Sequence, residues 1–333
     1  MKLYKFFRAN DWWEPKLTPL LTAVYATVTI IGVDLFTILP HLLFLIGIFL
    51  VVAIYVSVIN DYADLEEDKI AGKRNRLTAI SHPNRLVLII VSLILSFFLI
   101  YVSGIGTLSS LFALGAIVCF SLYSLPPFRL KNRSVFGVIA DASGSHLFPT
   151  LFFVSSVYSL ANLQINITLL SIFGIWSFAY GLRGILWHQF QDKHNDVSVG
   201  LKTFAVNAVA SQTTSLGSVI IIIELSALAV ILFLVKSLLP IIALAGYFIL
   251  LVIYHRLDNE ITLFVSHSDN WYILMTDYYQ VFLPVSLIIL ASFTNPECLL
   301  LLIFHALFFP NRLKHIAVSL FKISADSKEL SAE

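Results

Sequence analysis

Apolar runs of about twenty residues recur along this chain, and no other feature constrains its fold as strongly. Eight are clear, at approximately 17–37, 40–59, 85–103, 106–125, 135–158, 166–189, 213–235 and 238–254. A ninth lies near 278–294 and is amply apolar at Phe282–Phe293. A tenth, shorter run at 297–309 ends at Pro310 and reads either as a further span or as a half-inserted helix. A helix needs about 20 mainly apolar residues to cross the hydrocarbon core. Lipid cannot hydrogen-bond a free backbone N–H or C=O, so the runs are expected as helices of an all-α, polytopic transmembrane bundle. Composition agrees. Of 333 residues 58% are hydrophobic and 12% charged, with a net charge of +1, whereas soluble domains carry about 25% charge. Such a chain cannot cover the surface of a water-soluble globule and is too apolar for disorder. Its near neutrality gives no reason to expect a nucleic-acid partner.

Lys and Arg set the orientation, because they gather in cytoplasmic loops. Even-to-odd connections hold Lys69, Lys73, Arg74, Arg76 and Arg85, then Arg129, Lys131 and Arg133, then Lys193 and Lys202, then Arg256. Lys2, Lys5, Arg8 and Lys16 precede the first span, and the opposite connections hold only Lys236. The N-terminus and the long loops are therefore expected in the cytoplasm. Arg312, Lys314, Lys322 and Lys328 in the tail favour a tenth crossing or a return to that face, against nine spans with an exterior tail. The division expected is a cytoplasmic segment 1–16, a transmembrane domain 17–309 and a tail 310–333. The N-terminus reads as no cleavable signal, since charge and Trp12–Trp13 lead directly into a full-length span. The two tryptophans read as interfacial anchors. Cys119 and Cys298 suggest neither a disulfide nor a metal site.

The segment after the second span reads Asn60-Asp61-Tyr62-Ala63-Asp64-Leu65-Glu66-Glu67-Asp68. On a continuing helix, Asp61, Asp64 and Asp68 fall within an arc of about 60°, while Glu66 points away. Like charges about 4 Å apart repel by on the order of 4 kcal/mol at an effective dielectric of about 20. A divalent cation would remove that repulsion, and oxygen-only ligands favour Mg2+. Alone, such a stretch is more often the solvated end of a helix. A second cluster follows the sixth span, where Asp192 and Asp196 stand one helical turn apart. Both clusters fall on the same membrane side, each closing the second helix of a four-span block. That order suggests two four-helix pseudo-repeats around a central cavity, with five carboxylates able to hold Mg2+ completed by substrate phosphates. Lys73, Arg74, Arg76 and Lys202 lie nearby. The loop Tyr123 to Arg133 contains Pro126-Pro127, and an extended chain beyond it would alternate Arg129, Lys131 and Arg133 onto one face. Basic loops of this kind also simply fix topology.

At these residues the chain resembles the UbiA superfamily of intramembrane prenyltransferases. Asn60, Asp61, Asp64 and Asp68 match its N-D-x-x-D-x-x-x-D motif, and Asp192 and Asp196 its D-x-x-x-D motif. The run Asp196 to Thr203 is similar to the D-V-x-x-G-x-K-[ST] continuation, and Tyr123 to Lys131 to a segment of several quinone and chlorophyll branches. The resemblance implies about nine spans around a lipid-facing cavity, with the five aspartates holding Mg2+ on the diphosphate of a prenyl donor. Lys73, Arg76, Arg129, Lys131 and Lys202 are then the candidates to contact that diphosphate, and Asn60 and Tyr123 join the substrate-binding set. The family often has Arg-Pro after the first motif, whereas Leu77 follows Arg76 here. The implied activity is Mg2+-dependent prenyl transfer to a small or lipophilic acceptor, of aromatic or quinone-precursor type, by an integral membrane enzyme surrounded by lipid. The alternatives are a UbiA-type terpene cyclase and, with less support, a secondary transporter, whose coupling residues usually lie near the bilayer midplane.

Ionisable residues inside spans are candidates in their own right. Asp141 and His146 fall in the fifth span, and Arg183 and His188 in the sixth. Arg183 is expected to pair with Asp141 or to reach substrate. His188 reads as a structural histidine, Glu224 has no evident partner, and Asp34 and His41 read as solvated.

Overall fold

The computed structural model of the chain describes residues 9–265 and 270–330. Lys2, Lys5 and Arg8 lie outside the described residues. Every apolar run is helical. In chain order the helices are α1 (Ala9–Ile31), α2 (Leu35–Ala63), the short α3 (Leu65–Ile70), α4 (His82–Val102) and α5 (Thr107–Ser124). Then come α6 (Val135–Ala142), a π turn at Ser143–Leu147, α7 (Phe148–Leu160), α8 (Ile167–Gln191) and the short α9 (Lys193–Ser198) and α10 (Phe204–Asn207). Two long helices follow, α11 (Ala210–Val235) and α12 (Leu239–Arg256). Strands β1 (Glu260–Thr262) and β2 (Trp271–Ile273) pair in parallel, Ile261 opposite Tyr272. The chain ends with a π turn at Tyr278–Phe282, α13 (Leu283–Ser292), a 3-10 turn at Pro296–Leu299, α14 (Leu300–Phe308) and α15 (Pro310–Leu330).

The molecule is a helical membrane protein. Among the described residues six helices are each long and apolar enough to cross a bilayer, and the pair Pro296–Phe308 and Pro310–Lys322, bent by 81°, makes a seventh if taken together. The difference from nine has three local causes. The first turns of α1 carry Asp11, Glu14 and Lys16, so only its part from Leu17 onward is apolar. The fifth run is divided by the π turn, and the ninth is short, at Tyr278–Ser292.

The chain forms two compact units. The first comprises residues 1–12 and 38–228, the second 13–37 and 229–333. These units do not follow the division into two four-span blocks, because α1 finds partners at the far end of the sequence. In the second unit Asn295 Nδ2 donates to Asp34 Oδ2 at 3.0 Å, Tyr25 Oη and His305 Nε2 are 2.9 Å apart, and Trp13 Nε1 donates to the Phe308 carbonyl at 2.7 Å. Asp34 and Trp13 are thus packed against protein groups. Buried threonines along α1 satisfy their hydroxyls on the carbonyl one turn back, as Thr18 does on Glu14 at 2.8 Å and Thr27 on Ala23 at 2.7 Å. The tail is helical, and its first turn is tied down: Glu14 accepts the N–H groups of Arg312 at 2.8 Å and Asn311 at 3.1 Å.

In the first unit α8 packs on α6, the π turn and α7, which in turn pack on α5. Hydroxyl contacts tie the spans together: Ser109 to Ser155 and Tyr55 to Ser121, both at 2.8 Å. The π turn pushes His146 against α8, its ring edge-on to Tyr180 at 5.1 Å. Gly181 permits this approach, since a Cβ there would meet His146 Cβ at 2.9 Å.

Candidate active site

The first acidic motif lies where the second apolar helix runs out of hydrophobic sequence. α2 ends at Ala63 and α3 resumes at Leu65, yet the helical ladder persists: Asp64 N–H reaches the Asn60 carbonyl at 3.0 Å and Asp68 N–H the Asp64 carbonyl at 2.8 Å. The expected face therefore exists. Asp61 and Asp64 are buried, Asp68 is half-buried, and Glu66 is exposed on the far side. The second motif repeats this pattern at the junction of α8 and α9, where Asp196 N–H bonds the Asp192 carbonyl at 2.9 Å. Asp196 is buried and Asp192 exposed.

Cationic side chains relieve the repulsion within these faces. Arg76 Nη2 lies 2.9 Å from both oxygens of Asp61. Asp64 accepts from Lys131 Nζ at 2.7 Å, Arg129 Nη2 at 3.3 Å and Asn60 Nδ2 at 3.2 Å. Asn75 Nδ2 bonds Asp68 Oδ2 at 2.8 Å and the Asp61 carbonyl at 2.7 Å, stapling the loop after the motif onto the motif itself. Lys73 reaches across to the second motif and bonds Asp192 Oδ1 at 2.9 Å. Asp196 accepts from Thr203 Oγ1 at 3.0 Å. Ser134 N–H bonds the Lys202 carbonyl at 3.1 Å, fastening the basic loop to the segment after the second motif. Both motifs and their basic partners therefore belong to one unit.

The carboxylates respond differently. Burial raises Glu67, and the Arg129 guanidinium at 2.6 Å only partly offsets it. Burial also raises Asp196, against the Thr203 hydrogen bond and the Lys131 charge. At Asp192 burial pushes the same way, but the bonded Lys73 ammonium outweighs it and holds the carboxyl below its ordinary value.

Two expectations need correction. The basic loop is not extended. Arg129 adopts φ +37°, Leu130–Asn132 forms a 3-10 turn, and Arg133 folds back to the Pro127 carbonyl at 3.2 Å. Arg129 and Lys131 reach Asp64, and Arg133 does not. Nor does Arg183 pair with Asp141. It is held by Glu224 through two bonds of 2.6 Å, with both side chains essentially inaccessible. Asp141 instead accepts from Ser145 at 3.3 Å. His188 is exposed and edges against Trp187, their centroids 4.5 Å apart.

Tyr123 is buried. Lys202 is exposed, and among the described residues its ammonium has no hydrogen-bond or ion-pair partner. Sequence reasoning missed Asn75, Glu67 and Thr203. Glu67 carried a signal, since it sits about 60° from Asp64 on the same helix.

Among the described residues no three His, Cys, Asp or Glu side chains stand together as a ready-made metal cage. The five aspartates nevertheless supply the oxygen donors that a hard divalent cation takes. Asp61, Asp64, Asp68 and Asp192 share those oxygens with Arg, Lys and Asn partners, and Asp196 with Thr203.

A family model described as the UbiA prenyltransferase family matches residues 19–261. Among solved structures, a UbiA homolog from Archaeoglobus fulgidus bound to GPP and Mg2+ is 18% identical with a TM-score of 0.55, covering 85% of this chain and 97% of that one. The same homolog bound to DMAPP and Mg2+ gives 15% identity and a TM-score of 0.54, covering 88% and 98%. These likenesses show a shared fold. No curated protein sequence matches the chain.

Proposed function

The chain belongs to the UbiA prenyltransferase family, and from that premise we propose that it moves a prenyl group from a prenyl diphosphate to an acceptor of aromatic or quinone-precursor type within the membrane. In this reading Asp61, Asp64, Asp68, Asp192 and Asp196 hold Mg2+. Asn60, Lys73, Arg76, Tyr123, Arg129, Lys131 and Lys202 bind the donor. The single observation that carries it is the Lys73–Asp192 bond, which joins the loop after the first acidic motif to the second motif across 119 residues of sequence. The allylic diphosphates bound with Mg2+ in the archaeal homolog support the donor class. The Lys/Arg asymmetry supports a site on the cytoplasmic face.

The geometry suggests an exchange of partners. Arg76, Arg129, Lys131 and Lys73 turn from carboxylate to diphosphate oxygens, so each cation keeps an anion while the aspartates are released to a metal. Bound Mg2+ supplies neutralisation of the diphosphate charge as the C–O bond breaks. The diphosphate leaves with the bonding electron pair, steadied by the Lys and Arg groups that face it. The allylic carbon becomes a cation, which aromatic faces such as Tyr123 stabilise. The acceptor attacks that carbon and then loses a proton.

The test uses purified protein in lipid bicelles with radiolabelled geranyl diphosphate, Mg2+ and a panel of aromatic acids and quinone precursors as acceptors, following diphosphate release and the extracted products. EDTA and Asp64→Ala should each abolish release. Full release in either case sinks the assignment. A hydrocarbon formed from the donor alone would reassign the chain to cyclisation. Lipid mass spectrometry of cells with and without the gene identifies the acceptor.

A further inference from the structure

We propose that α15 is an interfacial helix whose outer face binds the bilayer surface, its apolar side chains entering the acyl boundary and its lysines reaching headgroup phosphates. The argument lies wholly within the second unit. α14 runs antiparallel to α1 and is pinned to it at three depths, Asn295 at Asp34, His305 at Tyr25 and Phe308 at Trp13. The chain thus leaves α14 at the Trp13 end of α1. There it turns by 81°. A helix turned nearly perpendicular to an apolar one runs along the plane of the membrane, where an amphipathic sequence is stable.

The inner face of α15 is fixed to protein. Glu14 holds its first N–H groups. The Arg312 guanidinium lies 5.6 Å above the Tyr272 ring and 3.8 Å from Asp277. His315 Nδ1 is 3.2 Å from the Tyr254 hydroxyl, which donates to Asp277 at 2.6 Å, and Ser319 is buried. Among the described residues the opposite face has no such cover. Val318, Leu320 and Phe321 are 53%, 46% and 76% exposed, and leaving such area in water costs about 25 cal/mol per Å². Lys314, Val318 and Phe321 fall on one stripe, because i, i+4 and i+7 share a helix face. Lys314 and Lys322 are exposed at either end of this apolar group. Their stems can lie along apolar surface while the ammonium groups reach phosphate. Apolar residues flanked by lysines match a bilayer surface in both chemistry and charge.

The test places a nitroxide at single cysteines, Val318→Cys or Phe321→Cys, in a Cys119→Ser background. Cys298 is fully buried and stays unlabelled. Ser81→Cys, in an exposed loop, gives the water-facing reference. In proteoliposomes, collisions with oxygen relative to a water-soluble nickel chelate should be several-fold higher at 318 and 321 than at 81. A chelate that reaches 318 and 321 as freely as 81 would overturn the proposal. So would exclusion of both reagents, the mark of a face covered by a second protein copy. Adding phosphatidylglycerol to phosphatidylcholine should slow the label at 321, and Lys314→Gln with Lys322→Gln should remove that slowing. Identical spectra in both lipids would overturn the lysine contacts.

Discussion

The Arg183–Glu224 pair and the carboxylate network around Asp64 are built from the same two kinds of charge in the same unit, yet they are wired differently. Arg183 and Glu224 form a fully buried couple, two bonds of 2.6 Å between side chains 1% and 0% accessible. In the network Asp64 shares three donors, Arg129 serves both Asp64 and Glu67, and Asn75 serves both Asp68 and a backbone carbonyl. Its cations are 16% to 38% accessible. A fully buried couple cannot release one partner without leaving the other charge in low dielectric. A shared, half-open network can pass its partners to an incoming anion. The first arrangement suits architecture and the second suits chemistry.

Five variants would break or sharpen this contrast. Glu224→Ala strands the Arg183 charge and should destabilise the protein by about 3–5 kcal/mol, read by unfolding in bicelles. Arg183→Met with Glu224→Leu should recover most of that loss, and a double variant as unstable as the single one breaks the comparison. Asp64→Ala should lower Mg2+-dependent diphosphate release by roughly 10²-fold or more with much less effect on unfolding. A stability loss as large as that of Glu224→Ala would make the network architectural too. Thr203→Val removes one hydrogen bond from buried Asp196 and should cost about 1.5–3 kcal/mol, measured in the same unfolding assay alongside donor KM. Lys73→Met acts at a pair exposed on both sides, so stability should change by less than about 1 kcal/mol while donor KM rises. A large unfolding effect there would erase the distinction.

Much of this was legible in the sequence, for physical reasons. A bilayer allows few backbone solutions, so each long apolar run became a helix. The side-chain period of a helix placed Asp61, Asp64 and Asp68 together before any coordinates. What stayed hidden were pairings over distance. Arg183 and Glu224 are 41 residues apart on different helices, and Asp141 lies 42 residues before Arg183, so separation along the chain does not choose between them. The charge relief by Arg76 and Lys131 was also hidden, because repulsion among carboxylates indicates that a cation is needed and not which one supplies it. The fold of Arg129 to Arg133 depends on a left-handed residue that no alternation rule anticipates. The partners of α1 lie at the opposite end of the chain, beyond the reach of any local pattern.

The prior pairing of Asp61 with Arg76 and of Asp64 with Lys131 has a calorimetric consequence. A ligand stabilises a protein only by its preference for the folded state. Under the proposed assignment magnesium alone displaces ammonium and guanidinium groups that gain nothing in return, so its thermal shift should be small. Diphosphate alone offers those groups a new anion but leaves the aspartates repelling each other. Only together do the two satisfy every charge. Under that assignment metal and donor should bind with positive cooperativity, and the melting temperature should rise more with both than the sum of the separate shifts.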